Sequence, residues 1–265
     1  MTETYQTLRF ERVGAVAVIT IDRPQAGNAI DVAMSRELML AAIACDRDAS
    51  IRAVLLRSEG KLFCAGGDIG AFSGAGDKAP DLLSEETAYL HAAVARLARM
   101  DKPLVTAVQG FAAGAGFSLA ILGDLAIAGR AAQFTLAYTG IGLTPDGGAS
   151  WLLPRLVGLR EAQRLILTNA RLTADEALAI GLVTEVVDDD ALDAAALGWA
   201  ERLAAGPTKA FARCRDLLLG SFAETLETHL ERESRGITES TAGADGKEGI
   251  AAFLAKRKPQ FSGQS

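Results

Sequence analysis

Short apolar runs rich in β-branched residues alternate along this chain with segments whose apolar residues recur at helical spacing, and that alternation confines it to an α/β architecture. Residues 14–21 (GAVAVITI) follow another strand-like run, 5–10, across a Glu-Arg-Val-Gly turn, which reads as an opening β-hairpin. Asp31 is placed to cap a helix whose apolar positions Met34, Leu38, Ala41, Ala42 and Cys45 share one face, and residues 53–56 supply the next strand. These elements make a ββα unit. A second unit follows, with helical spacing over 85–100 at Leu90, Val94 and Leu97 and a buried-strand pattern over 104–108 after Pro103. A third runs through 125–128, 134–136 and the segment after Gly147.

From Thr173 onward the pattern turns helical. Thr173-Ala174-Asp175-Glu176 is a capping box, Gly181 can close the helix it opens, and 183–187 is a last short strand. Pro207 suits a first helical turn, 222–237 carries i,i+4 charge and apolar spacing, and 249–255 (GIAAFLA) leads into Lys256-Arg257-Lys258-Pro259. No low-complexity linker splits the chain, and 265 residues that are 49% hydrophobic suffice for one large core. The expected organisation is a core over residues 1–200 and a helical C-terminal region over 201–265.

A formal charge of -6 supplies no general positive field, so nucleic acid and anionic membrane surfaces are not expected as partners. No apolar run approaches the roughly 18 residues of a membrane span. Three widely spaced cysteines, Cys45, Cys64 and Cys214, and a polar opening without the apolar core of a signal peptide lead to the expectation of a soluble, cytoplasmic protein.

Two glycine-rich passages can carry chemistry: Phe63-Cys64-Ala65-Gly66-Gly67-Asp68-Ile69, and Gly110-Phe111-Ala112-Ala113-Gly114-Ala115-Gly116. Each follows a strand pattern and precedes a helical one, so a ligand could approach free backbone N–H groups there. Two such donors on one carbonyl oxygen form an oxyanion hole, each donor contributing about 3 kcal/mol. From composition alone, tight turns account for the same glycines. A dinucleotide fingerprint fails because Leu119 stands where its last glycine belongs, and no Gly-Lys-Ser/Thr completes a P-loop. Gly116-Phe117-Ser118-Leu119-Ala120 nearly matches a nucleophile elbow, with Ser118, Asp146 and His229 in hydrolase order, but the last glycine is alanine.

Asp146 lies in Leu143-Thr144-Pro145-Asp146-Gly147-Gly148, a stiff turn in which an aspartate is either an N-cap or a base presented to a pocket. His91 reads as a surface or packed helix residue, and Cys64 as small apolar packing. No metal-ligand spacing is present, and Lys256, Arg257 and Lys258 read equally as a phosphate grip or a solvated helix end.

Arg23-Pro24 with Asn28-Ala29, the 63–69 segment, residues 110–124, Pro145 to Gly148 and the 253–261 stretch together resemble the crotonase (enoyl-CoA hydratase/isomerase) superfamily, in order over nearly the whole chain. The resemblance implies a spiral of ββα units over 1–200, a helical trimerisation region over 201–265, and a homotrimer or homohexamer. It implies an acyl-CoA thioester as substrate, coenzyme A being part of that substrate and no separate cofactor being needed. By motif, the N–H groups of Gly67 and Ala115 would bind the thioester oxygen. Ala26, Ala29, Ala65, Asp68 and Ile69 would contact coenzyme A, with Lys256 near its nucleotide end.

The two glutamates that hydratases use would fall at Ser118 and Tyr138, which cannot replace carboxylates and are left to line the acyl site. Residues 140–148 with Trp151-Leu152-Leu153-Pro154-Arg155 look like the ring-epoxide and enoyl isomerases of phenylacetate degradation, in which the matching aspartate is the base. The expected chemistry therefore has Asp146 move a proton, shifting a 3-enoyl to a 2-enoyl double bond or assisting epoxide opening. Alternatives within the superfamily are a hydratase, or a 4-chlorobenzoyl-CoA-type dehalogenase with Asp146 as nucleophile, His91 activating water and Tyr138 in place of a tryptophan. Outside enzymology stands a non-catalytic acyl-CoA-binding scaffold. The loop expected over 72–84 would form part of the pocket wall.

Overall fold

The computed structural model describes residues 5–263; residues 1–4, on which the signal-peptide expectation partly rests, and 264–265 lie outside it. β1 (Leu8–Val13) and β2 (Val16–Ile21) form the antiparallel hairpin. Its turn falls at Gly14-Ala15, where Gly14 takes φ +58°, so the first strand lies three residues later than the pattern places it. Asp31 caps α1 (Val32–Arg47), accepting the Met34 N–H at 2.8 Å, and β3 (Ala53–Ser58) returns parallel to β2. α2 (Ile69–Ala75) and α3 (Ala79–Arg99) come next. The 72–84 segment is therefore helix and 3-10 turn, not the expected loop: Asp68 caps α2 and Pro80 sits in the first turn of α3, where its missing N–H costs nothing.

The next turn of the spiral is β4 (Leu104–Val108), β5 (Phe111–Ala113) and α4 (Ala115–Ala120), followed by β6 (Leu125–Gly129), β7 (Gln133–Thr135), α5 (Ala149–Val157) and α6 (Leu159–Thr168). β8 (Leu172–Thr173), α7 (Ala174–Ala179) with the complete capping box at Thr173 and Glu176, β9 (Glu185–Val187) and α8 (Leu192–Ala204) close the core. The larger sheet runs β1-β2-β3-β4-β6-β9, parallel beyond the hairpin, and the smaller runs β5-β7-β8. Parallel bridges Ile30–Gly67 and Cys64–Ala112 extend the smaller layer. Beyond the opening hairpin, whose two strands both join the large sheet, the chain repeatedly gives one strand to the large sheet, a short extended piece to the small layer, and a helix.

Both faces of the large sheet are covered, which is why its strands read as continuous apolar runs. Ala17, Ile19, Val54 and Leu56 face the main core beneath α1 and α3, while Val16, Val18, Ala53 and Leu55 meet Ala196 and Ala200 of α8. The division expected after residue 200 falls inside α8.

α9 (Thr208–Gly220), α10 (Leu226–Ala242) and α11 (Ala244–Leu254) follow, with Pro207 as N-cap of α9 instead of a first-turn residue. Buried Arg215 ties α9 to the core. Its guanidinium donates to Asp124 and to the carbonyls of Leu97 and Lys102 at 2.8–3.0 Å, at the C-terminal end of α3 where a cation is favoured. Among the described residues no helix is long and apolar enough to cross a membrane.

Candidate active site

Close backbone contact joins the two glycine-rich passages. A Cβ on Gly66 would sit 3.1 Å from the Ala113 carbonyl oxygen, and one on Gly116 only 2.4 Å from that of Cys64, so side chains here would force the strands apart. The bridge between Ile30 and Gly67 uses the Ile30 N–H to Gly66 and the Asp68 N–H to Ile30, leaving the Gly67 N–H outside the ladder. Ala115 opens α4, so its N–H lacks a helical acceptor. Among the described residues neither N–H meets a protein acceptor. Two unsatisfied donors flanking the Gly66–Gly114 contact can polarise one carbonyl oxygen.

Asp146 is held beside them by its backbone. The Ser118 hydroxyl donates to the Asp146 carbonyl at 2.7 Å, and the Tyr138 hydroxyl lies 3.4 Å from both that oxygen and Ser118 Oγ. Burial pushes the Tyr138 phenol up to about 12, so it remains a donor and not an acid-base group at neutral pH. Gly147, at φ +61°, is required because a Cβ would stand 2.9 Å from that of Ser118. The Asp146 side chain, mostly buried, hydrogen-bonds Nε2 of His91.

Two readings of the sequence are corrected by this geometry. Asp146 is not an N-cap, since α5 starts from Gly148 without a side-chain cap, while His91, exposed on α3 as expected, also hydrogen-bonds Asp146. The Ser118-Asp146-His229 arrangement does not form either. Ser118 points to a carbonyl, and the His229 ring lies between Glu224 and Glu233 at 3.3 and 3.6 Å. Cys64 is fully buried, with its thiol raised to about 12, as apolar packing requires.

Ala26 ends a 3-10 turn, Ala29 is buried, and the Ala65 N–H donates to the Gly27 carbonyl at 3.0 Å, which brings the 26–29 and 65–69 segments together. Ala65 and Ile69 are exposed beside them. Asn28 welds this loop: it accepts the Arg23 N–H and donates to the carbonyls of Glu59 and Leu62. Asp68 caps α2, accepting the Ala71 N–H, and pairs with Arg23, which also reaches Asp31 at 3.0 Å. Lys256 follows α11, exposed, and its side chain has no partner among the described residues. Sequence reasoning missed Glu86, a buried carboxyl on α3 next to Gly67.

The sequence profile of the family described as Enoyl-CoA hydratase/isomerase matches residues 11–264. The chain belongs to that family. It is 38% identical over 250 residues to the 1,2-epoxyphenylacetyl-CoA isomerase of Escherichia coli K12, covering 94% of this chain and 95% of that one. It is equally 38% identical over 261 residues to a Rhodobacter capsulatus protein named "Probable enoyl-CoA hydratase", covering 98% and 100%. The crystal structure of an enoyl-CoA hydratase from Polaromonas sp. JS666 superposes with a TM-score of 0.91 at 32% identity, over 96% of this chain and 99% of that one. The fold is thus the crotonase fold expected from the sequence, and the chain is an acyl-CoA enzyme of the hydratase/isomerase family. Relatives of equal identity carry isomerase and hydratase names.

Proposed function

We propose that this protein is an acyl-CoA isomerase in which Asp146 moves a proton while the N–H groups of Gly67 and Ala115 hold the thioester oxygen. Asp146 takes a proton from the carbon next to the thioester, the resulting dienolate oxygen is held by the two donors, and the same carboxyl returns the proton two carbons away. A 3-enoyl-CoA becomes a 2-enoyl-CoA, or an epoxide ring is opened by the same proton movement. Coenzyme A, held by the 26–29 and 65–69 loops with Lys256 at its nucleotide end, is part of the substrate, and no further cofactor is required.

The observation that carries this reading is the use made of Ser118 and Tyr138. Both hydroxyls approach the Asp146 carbonyl, so the positions expected to bear hydratase carboxylates instead fix the turn that presents Asp146. Directly behind that turn, Gly147, Gly148, Trp151, Leu152 and Phe222 line a mainly apolar cavity of about 470 Å³. Its size suits an acyl tail.

The test supplies matched 3-enoyl-CoA and 2-enoyl-CoA in deuterated water and follows products by mass spectrometry for wild type and Asp146→Asn. Double-bond migration without water addition, abolished in the variant, is expected. Robust hydration surviving in the variant would overturn the assignment. The contact between His91 and Asp146 favours one second reading, a dehalogenase with Asp146 as nucleophile and His91 activating water. Halide release from 4-chlorobenzoyl-CoA without enoyl isomerisation would establish it.

A further inference from the structure

The isomerase reading leaves one carboxyl of the site unused. Glu86 is only 3% exposed, and its Oε2 has no hydrogen-bond partner. Its Oε1 lies 3.9 Å from the point where a side chain on Gly67 would begin, and the Phe72 ring closes the same spot at 3.1 Å. The carboxyl therefore lies beside Gly67, on the side where a side chain would project. The charged groups around it come from three elements, Asp31 ahead of α1, Asp68 ahead of α2 and Asp146 ahead of α5, and the titratable His91 on its own helix lies against Asp146. Arg23 compensates Asp31 and Asp68, and His91 pairs with Asp146. Among the described residues no cation pairs with Glu86.

Leaving a buried carboxyl oxygen without a partner costs on the order of 1–3 kcal/mol, and an ionised one costs more. Burial first, and then the charges of Asp31, Asp146 and Asp68, push its pKa up to about 7. Below that pH Glu86 is a neutral acid with an O–H donor that the protein does not use.

We infer that Glu86, as a neutral carboxylic acid, donates a hydrogen bond to an acceptor oxygen on the acyl group a few bonds from the thioester, and so selects oxygenated acyl-CoAs over hydrocarbon ones. The oxygen is that of an epoxide, an ether or a carbonyl. This rests on the acyl-CoA reading above, which puts the thioester at Gly67. Ionisation removes the donor and sets a carboxylate against the acceptor, so the preference fades as the pH passes 7.

The experiment measures dissociation constants by calorimetry for 3-methoxybutyryl-CoA and its carbon isostere 3-methylpentanoyl-CoA, neither of which can undergo the double-bond shift. At pH 6 the wild type is expected to prefer the ether by roughly tenfold, the worth of one hydrogen bond to a buried donor. At pH 8.5 the wild-type preference collapses. Glu86→Gln, whose amide still donates but does not titrate, keeps the preference at both pH values. Glu86→Leu loses it at both, and if that variant does not fold, the pH behaviour of Glu86→Gln decides alone. A wild type without preference at pH 6, or a leucine variant that retains it, overturns the inference, as does equal weakening of both ligands, the mark of a purely structural role. Failure of the wild type to bind either thioester would instead sink the acyl-CoA reading along with it.

Discussion

Glu86 also links the site to stability. Its carboxyl holds a proton more tightly in the folded chain, at about 7 against an ordinary 4.5. The unfolded state therefore releases that proton first as the pH rises. Its contribution to stability is fully present below about 4.5 and is lost progressively up to about 7, for a total of about 3 kcal/mol. Glu86→Gln removes this dependence. Relative to wild type, the variant should gain several degrees in Tm between pH 4.5 and pH 8.5 by differential scanning calorimetry, and a constant offset across that range would show that Glu86 does not titrate in it. Glu86 was not legible in the sequence, and the partnership of His91 with Asp146 entered only through the resemblance to the dehalogenase, not from the residues themselves. Each stands on a helix whose period explains it as ordinary surface or packing, and the groups that give it meaning, Gly67 and Asp146, are distant along the chain. Asp146 was singled out because Pro145, Gly147 and Gly148 enforce a turn, a local signal.

Elements were legible where the pattern is local. The bounds of β4 coincide with its apolar run, and Asp31 announces α1. The 72–84 segment was misread because Gly74, Gly76 and Pro80 look like loop residues, whereas Asp68 and Pro80 each start a helix, Gly74 lies within the last turn of α2 and Gly76 opens the 3-10 turn that joins the two. The glycine-rich passages were visible as sequence, but the contact that makes them a site depends on how two units of the spiral pack. Gly116→Ala tests that contact. Its Cβ would meet the Cys64 carbonyl at 2.4 Å and Sγ at 2.8 Å, both fully buried, so α4 and the 64–67 segment must separate. Overpacking of this kind costs about 1–3 kcal/mol. A urea midpoint lowered accordingly is expected, together with a loss of kcat larger than any change in KM, because the separation moves Ala115 away from Gly67. Unchanged kcat in a folded variant would remove the pair of donors from the mechanism.

Across the whole molecule, α9 to α11 present large apolar side chains that the chain itself does not cover, among them Leu218 at 71%, Phe253 at 83% and Leu254 at 76% exposure. Scattered apolar residues are ordinary on a surface, but their concentration on three successive helices, the first of which Arg215 fastens to the core, points to a partner. We propose that this region joins copies of the chain into a trimer or a dimer of trimers. Phe222, 69% exposed, lines the cavity behind Asp146, so a neighbouring copy would also shield the acyl tail from water. Sedimentation velocity should give wild type a mass that is a multiple of three chains, and Phe253→Glu with Leu254→Glu a smaller species. If assembly closes the cavity, the dissociated variant should lose affinity for long acyl-CoAs more than for short ones, since each methylene kept dry contributes about 0.8 kcal/mol. Equal losses at every chain length would mean that the neighbour stabilises the fold without touching the substrate, and a monomeric wild type would leave these apolar faces without the partner proposed for them.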